Sequence, residues 1–255
     1  MPMLKNMNRL TVIIPCYNNE DIIGDCLESV KWADEILVCD SFSADKTLEI
    51  ARRYTNRIIQ HEYINSATQK NWAIPQASTE WILIVDTDER ISEELKGEII
   101  ATLNGPGEFN GFKIPRANFS FGRRLKYGRS WPDYQLRLFK RDKGRYEPLE
   151  VHAHVILEGK VGYLKNPIIH FHDREVSQVI EKYFIRYTKW EAKERLKKHK
   201  PSLIKLIFFP PAVFICRYIF KMGFLDGLAG FISAWFWAIY TFLVYLHMWQ
   251  WKEKK

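Results

Sequence analysis

Residues 81–88 of the chain, WILIVDTD, join five apolar residues to two aspartates that are separated by one threonine. A short apolar run that ends at polar residues is typical of a buried strand. Three similar runs precede it, and a helical pattern follows each: LTVII (10–14), EILVCD (35–40) and RIIQ (57–60) are the expected strands, and 19–31, 44–54 and 66–77 the expected helices. This alternation predicts an α/β fold with a parallel sheet and helices on both faces.

Asp86 and Asp88 directly follow the fourth expected strand. Ligands of such sheets bind beyond the carboxyl ends of the strands, so both carboxylates should face a cleft. Mg²⁺ and Mn²⁺ prefer oxygen ligands that substrate phosphates complete, and one carboxylate could hold such an ion while the other contacts a ribose or shares the metal. A solvated turn is the alternative, but the position after the fourth strand favours a binding site.

Polar residues near three other elements are further candidates. PCYNNE (15–20) ends the first strand with a rigid turn that could hold a base against the backbone and Tyr17. Asp40 ends the second strand, where a carboxylate can accept hydrogen bonds from a base or ribose; a helix cap is the alternative for this region. Lys70 lies on the helix before the DxD strand, and it either approaches phosphate or is simply solvated.

Beyond Asp88 a helix is expected over 92–103, and the strand-like runs become shorter. These runs predict a mixed or antiparallel half that forms the acceptor side: GFKIPR (111–116), YQLRLFKR (134–141), HVILEG (154–159) and PIIHFH (167–172). Arg137 lies in such an apolar run, where an uncompensated charge is costly, so it should reach a diphosphate or form a buried ion pair. His170 and His172 end the last run, where they could complete a metal shell or be core histidines.

The net charge of +8 is distributed unevenly along the chain. Residues 1–180 hold 24 Lys and Arg against 25 Asp and Glu, whereas residues 181–255 hold 14 against 5. The basic excess therefore lies beside the most apolar segments, which suits an anionic membrane surface. Nucleic acid is not expected as a partner, because no recognised basic motif accompanies the charge.

The C-terminal segment has the composition of a membrane-embedded hairpin. Residues 203–220 are apolar apart from Lys205 and Arg217, and 227–251 contain no charged residue, which exceeds the roughly 20 residues that cross a bilayer. Two spans joined at KMGFLDG (221–227) or a re-entrant pair bent at Pro210-Pro211 would both fit; we favour the re-entrant form, because the two cations make a poor full span. The N-terminus shows no secretory signal and the four cysteines form no CxxC, so the rest of the chain is expected in the cytosol.

Several segments together resemble glycosyltransferase family 2, and specifically its lipopolysaccharide-core glucosyltransferase-like branch: TVIIPCYNNED (11–21), ILVCDSFSADKTLEIA (36–51), QKNWAI (69–74), WILIVDTDE (81–89) and WPDYQLRLFKR (131–141). The resemblance runs from residue 9 to about 172, and YIFKMGFLDGLAGFISA (218–234) extends it into the tail. It implies a GT-A fold, an inverting mechanism and a nucleotide-sugar donor bound through a divalent metal. It places nucleotide contacts at Pro15, Tyr17, Glu20, Asp40 and Asp86, and metal ligands at Asp86 and Asp88.

The resemblance does not directly identify the general base of this chain. Relatives often show Val-His-Glu where this chain has Val151-His152-Ala153, so the expected glutamate is missing. An inverting transfer needs a carboxylate or imidazole near the acceptor hydroxyl, which leaves Asp133, Glu150 and His152 as candidates. Asp133 could instead pair with Arg137, and Glu150 could be a solvated loop residue.

The expected organisation is a GT-A domain over 1–175, a basic amphipathic helix over 176–202 and a membrane-embedded hairpin over 203–255. The expected reaction is inverting sugar transfer from a nucleotide-diphosphate donor to a lipid-linked or lipopolysaccharide-core acceptor, at the cytoplasmic face of the inner membrane. Transfer to polyprenyl phosphate is the enzymatic alternative. A non-catalytic, membrane-anchored nucleotide-binding scaffold is the other, and Ala153 is its main support.

Overall fold

The computed structural model describes residues 9–120, 122–151, 153–171 and 176–252. The chain forms two compact units. The sheet unit comprises Met1–Arg116, Tyr134–Pro148 and Ala153–His170, and the helical unit comprises Ala117–Asp133, Leu149–His152 and Phe171–Lys255.

The strands are β1 (Leu10–Cys16), β2 (Glu35–Asp40), β3 (Ile58–Gln60), β4 (Trp81–Ile84), β5 (Glu89–Ile91), β6 (Phe109–Ser120), β7 (Arg123–Arg124), β8 (Asp133–Lys140), β9 (Gly144–Tyr146), β10 (Val155–Leu157), β11 (Lys160–Tyr163) and β12 (Ile168–Phe171). The main sheet has the order β3-β2-β1-β4-β8-β6-β12-β5. The first four of these strands are parallel, and β8 runs antiparallel to β4. The predicted α/β class is therefore confirmed, with a mixed second half.

The helices of the sheet unit are α1 (Ile23–Val30), α2 (Thr47–Ala51), α3 (Ser66–Ala73) and α4 (Glu93–Leu103). The side chains of Asn65 and Ser92 cap α3 and α4 by accepting hydrogen bonds from backbone amides of the first turn. The first two helices are shorter than their patterns predict. Residues 18–20 instead bond to residues 43–46, which joins the loops after β1 and β2.

Strand β5 is a feature that the sequence pattern does not predict. It follows the two aspartates at once and pairs antiparallel with β12, with His170 opposite Glu89 in the register. This pairing joins the DxD segment to a strand almost 80 residues away in the chain. The core on either side of the sheet is built from fully buried side chains such as Trp81, Leu83 and Phe139.

The helical unit contains α5 (Val176–Val179), a π-helical segment (Ile180–Tyr187), α6 (Thr188–Leu196), α7 (Leu203–Ile215), a second π-helical segment (Cys216–Phe220), a 3-10 turn (Gly223–Asp226) and α8 (Gly227–Lys252). Ring contacts of Tyr218 with Phe231, Phe214 with Trp235 and Phe209 with Tyr245 show that α7 and α8 pack antiparallel.

Two helical stretches of this unit are long and apolar enough to cross a membrane by length and composition alone. They are Leu203–Phe220, with a mean hydropathy of 1.8, and Gly223–Trp251, with 1.6. Pro210 and Pro211 lie within helix α7, which continues through them from Leu203 to Ile215. The chain reverses instead between these two stretches, in the segment that follows Phe220.

Candidate active site

The centre of the site is a buried cluster of ion pairs at the carboxyl end of β4. The Asp86 carboxylate lies 2.8 Å from Lys70 Nζ and 2.7 Å from Arg137 Nη2. The same Arg137 nitrogen lies 2.8 Å from Glu89 Oε1, and Glu89 Oε2 accepts the backbone N–H of Asp86 at 3.0 Å. The side chain of Asp86 keeps 30% exposure, whereas those of Lys70 and Arg137 keep 6% and 7%. Asp86 is therefore the most accessible member of this cluster.

The neighbouring charges determine the ionisation states. Burial works to raise the pKa of Asp86, but Arg137 and Lys70 outweigh it and hold that pKa well below its usual range. Burial raises the pKa of Glu89, against the opposing charge of Arg137. Burial also disfavours the charged form of Arg137, yet Asp86 and Glu89 raise its pKa well above the ordinary value. Asp86 and Arg137 are thus a fixed anion and a fixed cation.

Two predictions about this cluster can be compared with the geometry. Arg137 forms a buried ion pair, which was one of the two predictions for it, and its Nε is buried without a hydrogen-bond partner among the described residues. Lys70 is buried against Asp86 and does not extend into solvent, and its Nζ also lies 5.3 Å from the centre of the Tyr146 ring. Sequence reasoning missed Glu89, whose position directly after the DxD motif was the available signal.

Asp88 lies beside a histidine from the last strand of the sheet unit. Its Oδ1 atom is 3.6 Å from His170 Nε2, and its side chain is 15% exposed. Burial lowers the pKa of His170 to about 4, so the imidazole is neutral at pH 7 and the contact is not an ion pair. The β5–β12 register brings this histidine to the DxD turn.

These two side chains fit one edge of a divalent metal site. Neighbouring ligands around an octahedral Mg²⁺ or Mn²⁺ are roughly 3 Å apart, because the bonds are about 2.1 Å long. A carboxylate oxygen and a neutral imidazole at 3.6 Å approach this spacing. In the described part of the chain no three His, Cys, Asp or Glu side chains are grouped for a metal. Substrate oxygens and water would therefore have to complete the shell.

Apart from Lys70, Asp86 and Arg137, the predicted nucleotide contacts lie in the last residues of β1 and β2 or in the loop after β1. Pro15 is in β1 opposite Cys39, and the Tyr17 side chain is 55% exposed. Asp40 is fully buried and accepts hydrogen bonds from the amide of Gln60 and the backbone of Ser43, both at 3.0 Å.

A second set of hydrogen bonds ties these loops to the DxD segment. Glu20 accepts the backbone N–H of Lys46 at 2.9 Å. Asn19 Oδ1 accepts from the backbone of Tyr17 at 3.1 Å and from the Thr87 hydroxyl at 3.2 Å. The sheet unit thus holds Tyr17, Glu20 and the DxD turn in one hydrogen-bonded network.

The base candidates belong to the helical unit. Asp133 Oδ2 lies 3.4 Å from the Asn118 amide nitrogen. One carboxylate oxygen of Glu150 is buried and has no hydrogen-bond partner, in the part of the chain that is described. Such atoms are rare in native structures and call for an explanation. His152 lies outside the described residues.

Comparison with known proteins gives three principal findings. The sequence profile of Glycosyl transferase family 2 matches residues 11–156. Over 253 residues, 94% of this chain and 92% of the relative, the chain is 31% identical to the lipopolysaccharide core biosynthesis glycosyltransferase LpsC of Rhizobium meliloti (strain 1021). The fold resembles the mannosyltransferase PcManGT from Pyrobaculum calidifontis in complex with GDP-Man and Mn²⁺, with a TM-score of 0.57, 14% identity and coverage of 95% and 88% of the two chains.

A second solved structure shows the same fold. It is S. aureus TarS in complex with UDP-GlcNAc, with a TM-score of 0.52, 14% identity and coverage of 97% of this chain and 92% of that one. At such identities the likeness concerns the fold alone. The GT-A fold that the sequence motifs implied is thereby confirmed.

Proposed function

Since this chain belongs to glycosyltransferase family 2, we propose that it transfers a sugar, with inversion, from a nucleotide-diphosphate donor to a lipopolysaccharide-core acceptor. The observation that carries this proposal is the paired arrangement at the DxD turn. Asp86 is held by Lys70 and Arg137, while Asp88 lies 3.6 Å from a neutral His170. Two carboxylates with these different environments suit two different tasks.

In this proposal Asp86 binds the nucleoside part of the donor, and Asp88 lies on the side of its diphosphate. Two cations fix the Asp86 carboxylate, so it can accept hydrogen bonds from a ribose without reorganising. Tyr17 offers an exposed ring for the base, and Glu20, Pro15 and Asp40 lie on the adjoining strand ends. Asp88 and His170 would hold a Mg²⁺ or Mn²⁺ ion that neutralises the leaving diphosphate. GDP-Man and Mn²⁺ in the PcManGT structure are consistent with this assignment.

We assign the general base to Glu150. Its buried carboxylate oxygen has no hydrogen-bond partner among the described residues, and a proton from the acceptor hydroxyl would give this oxygen one. Asp133 already receives a hydrogen bond from Asn118, which makes it the second candidate. Glu150→Gln should lower kcat by about 10²–10⁴-fold with little change in the KM for donor, and Asp133→Asn should have a much smaller effect. The reverse order would move the assignment to Asp133.

Our proposals for the acceptor and for the location of the protein rest on the composition of the C-terminal segment and on the similarity to LpsC. We propose that residues 176–202 rest on the cytoplasmic face of the inner membrane and that residues 203–255 form the membrane hairpin. Residues 181–255 carry 14 Lys and Arg against 5 Asp and Glu, which suits anionic head groups. An acceptor with a lipid anchor would meet the enzyme there.

The reaction can be tested with the purified full-length chain in detergent. A panel of UDP- and GDP-linked hexoses would be incubated with truncated lipopolysaccharide cores and Mn²⁺, and product mass and nucleotide release would be measured. We expect one donor to give a core one sugar heavier. Arg52→Ala, an exposed change on the sheet unit, serves as the control with unaltered activity. Sugar transfer to polyprenyl phosphate but not to any core would refute the acceptor assignment.

A further inference from the structure

Helices α7 and α8 each carry a stripe of large apolar side chains that the described part of the chain covers only in part; Phe231 and Trp235, for example, contact Phe214 but stay more than a third exposed. On α8 the stripe recurs at helical spacing, with Leu228 73%, Phe231 39%, Trp235 47%, Ile239 41% and Phe242 42% exposed. On α7 and its extension it consists of Ile204, Phe208, Ile215 and Ile219, which are 42–71% exposed. The opposite side of α8 is buried at Tyr240, Val244 and Met248. Each helix thus has one packed face and one open face.

The turn between these helices is tied to the loop that leads into β8. Asp226 accepts the backbone N–H of Lys126 at 3.0 Å and that of Tyr127 at 2.8 Å. The Gly128 N–H donates to Lys221 O at 2.9 Å, and Arg217 Nη1 donates to Gly128 O at 2.6 Å. Four hydrogen bonds, three from the turn and one from Arg217 just before it, therefore fix this region to residues 126–128.

Chain length limits how far this turn can lie from the sheet. Lys126 is seven residues from Asp133, the first residue of β8, and seven extended residues reach at most about 25 Å. The hydrocarbon core of a bilayer is about 30 Å thick. A turn bonded to residues 126–128 cannot lie across a membrane from β8, because a polar loop would have to cross the bilayer with it.

The middle and the C-terminal half of α8 are held by the charged helix α6. Tyr240 donates to Glu191 at 2.6 Å, and Arg195 donates to the Tyr245 hydroxyl at 3.1 Å. Helix α6 also carries Lys189 and Lys193, so it cannot enter the hydrocarbon. The turn before α8 and the middle of α8 are therefore both bound to polar segments, although the 26 residues of this helix extend over about 39 Å.

We propose that the α7–α8 hairpin lies along a single leaflet of an anionic bilayer, with its turn on the same side of the membrane as β8, and does not cross it. This inference rests on the proposed membrane location and specifies its geometry. It excludes two crossings joined at residues 221–227. The open apolar stripes would enter the acyl boundary, as in other interfacial helices.

Cations at both ends of the hairpin complement such a leaflet. Near the turn lie Arg123, Lys126, Arg129 and Lys221, all exposed. At the far end a cavity of about 260 Å³ is lined by three basic and two tryptophan side chains together with one acidic and one aliphatic side chain, namely Arg186, Lys189, Lys193, Trp190, Trp251, Glu181 and Ile185. The cations at both ends suit anionic lipid head groups, and the two tryptophans at the far end suit the membrane interface. The occupant of the open face is therefore a lipid surface and not a second copy of the chain.

Cysteine labelling of sealed inside-out and right-side-out vesicles tests the topology. The background is the full chain with Cys216→Ser, because the other three cysteines are buried. Reporters are Met222→Cys at the turn, Gln250→Cys at the far end and Arg52→Cys on the sheet unit, all exposed positions. Gly223 is unsuitable, because a Cβ there would lie 2.7 Å from Arg217 O. We expect an impermeant maleimide to label all three from the same side.

Two results of this experiment would overturn the proposal. Labelling of Met222→Cys only from the side opposite to Arg52→Cys would mean two crossings. Protection of Met222→Cys from both sides would mean a turn inserted into the hydrocarbon.

A depth measurement gives an independent test. Leu228 and Phe242 lie on the same stripe, 14 residues or roughly 21 Å apart along the helix. Environment-sensitive labels on Leu228→Cys and Phe242→Cys should be quenched equally by lipids brominated at one given depth. Depths that differ by more than about 10 Å would contradict an in-plane helix.

Flotation separates this inference from the proposed function. The full chain should float with vesicles that contain phosphatidylglycerol. The double variant Lys189→Glu with Lys193→Glu should bind these vesicles at least tenfold more weakly. The variant Lys143→Glu on the sheet unit should bind them as the unchanged chain does. A chain that stays soluble as a dimer and does not float would refute both the leaflet geometry and the membrane location. Sugar transfer to a soluble core fragment would still test the reaction by itself.

Discussion

Arg137→Met should destabilise the protein far more than removal of an equally short ion pair at the surface. Arg137 Nη2 lies 2.7 Å from Asp86 and 2.8 Å from the fully buried Glu89. Without it, the remaining cation near Glu89 in the described part of the chain is Arg116, at 3.7 Å. Leaving a buried charge without its partner costs about 3–5 kcal/mol. For a domain of this size the melting temperature should fall by roughly 10 °C.

Arg53→Met is the matched control. Arg53 also lies 2.8 Å from a carboxylate, that of Glu49, but the two side chains are 65% and 62% exposed. Exposed pairs contribute less than about 1 kcal/mol, so its melting temperature should change by no more than about 3 °C.

Thermal unfolding of the full chain in detergent, followed by circular dichroism, measures both variants. The double variant Arg137→Met with Glu89→Leu should recover part of the loss, because no unpaired buried charge remains. Equal falls for Arg137→Met and Arg53→Met would refute the reasoning.

Three further predictions concern the metal, the hairpin and pH. Asp88→Asn should abolish sugar transfer and Mn²⁺-dependent nucleotide binding while the melting temperature of the metal-free protein stays within about 3 °C; full activity in this variant, measured by nucleotide release, would contradict the metal assignment. Gly230→Ala should disrupt the turn, because its Cβ would lie 1.9 Å from Gly223 O, whereas Gly97→Ala in α4 meets nothing within 4 Å and should be neutral or stabilising by about 0.5–1 kcal/mol in thermal unfolding. In EDTA the stability should fall as pH drops from 6.5 towards 4, since the unfolded chain binds a proton that buried, neutral His170 does not. His170→Gln should reduce this loss by up to about 3 kcal/mol, and identical pH profiles of the two proteins would contradict it.

The sequence predicted the parallel half of the sheet well, because each of its strands is an apolar run that ends at polar residues. LTVII, EILVCD and WILIVD became β1, β2 and β4 with their carboxyl ends at one edge. Asp86, Asp88 and the residues of PCYNNE could therefore be identified as candidates before the structure was considered. Helix ends were less predictable, since side-chain bonds between residues 18–20 and 43–46 compete with helix formation there.

The features of the fold and the site that the sequence pattern did not predict depend on contacts between distant segments of the chain. Strand β5 has only three residues, two of them charged, and it exists because β12 pairs with it. Nothing in its local pattern predicts that Glu89 is fully buried. The pattern around Arg137 predicted burial correctly, but only the fold brings Asp86 and Glu89 to it.

The buried cluster also suggests why the two aspartates of the DxD turn have different environments. Burial of ion pairs contributes little net stability, because desolvation offsets most of the attraction. The effect of the cluster is instead to position Asp86 at the end of β4. The carboxylate is held by Lys70 and Arg137, and the backbone N–H donates to Glu89. Asp88 lies instead next to a neutral imidazole, which does not pair with it as a cation. The charge of Asp86 is already balanced by Lys70 and Arg137, so we expect this carboxylate to attract a further cation less strongly than an unpaired aspartate would.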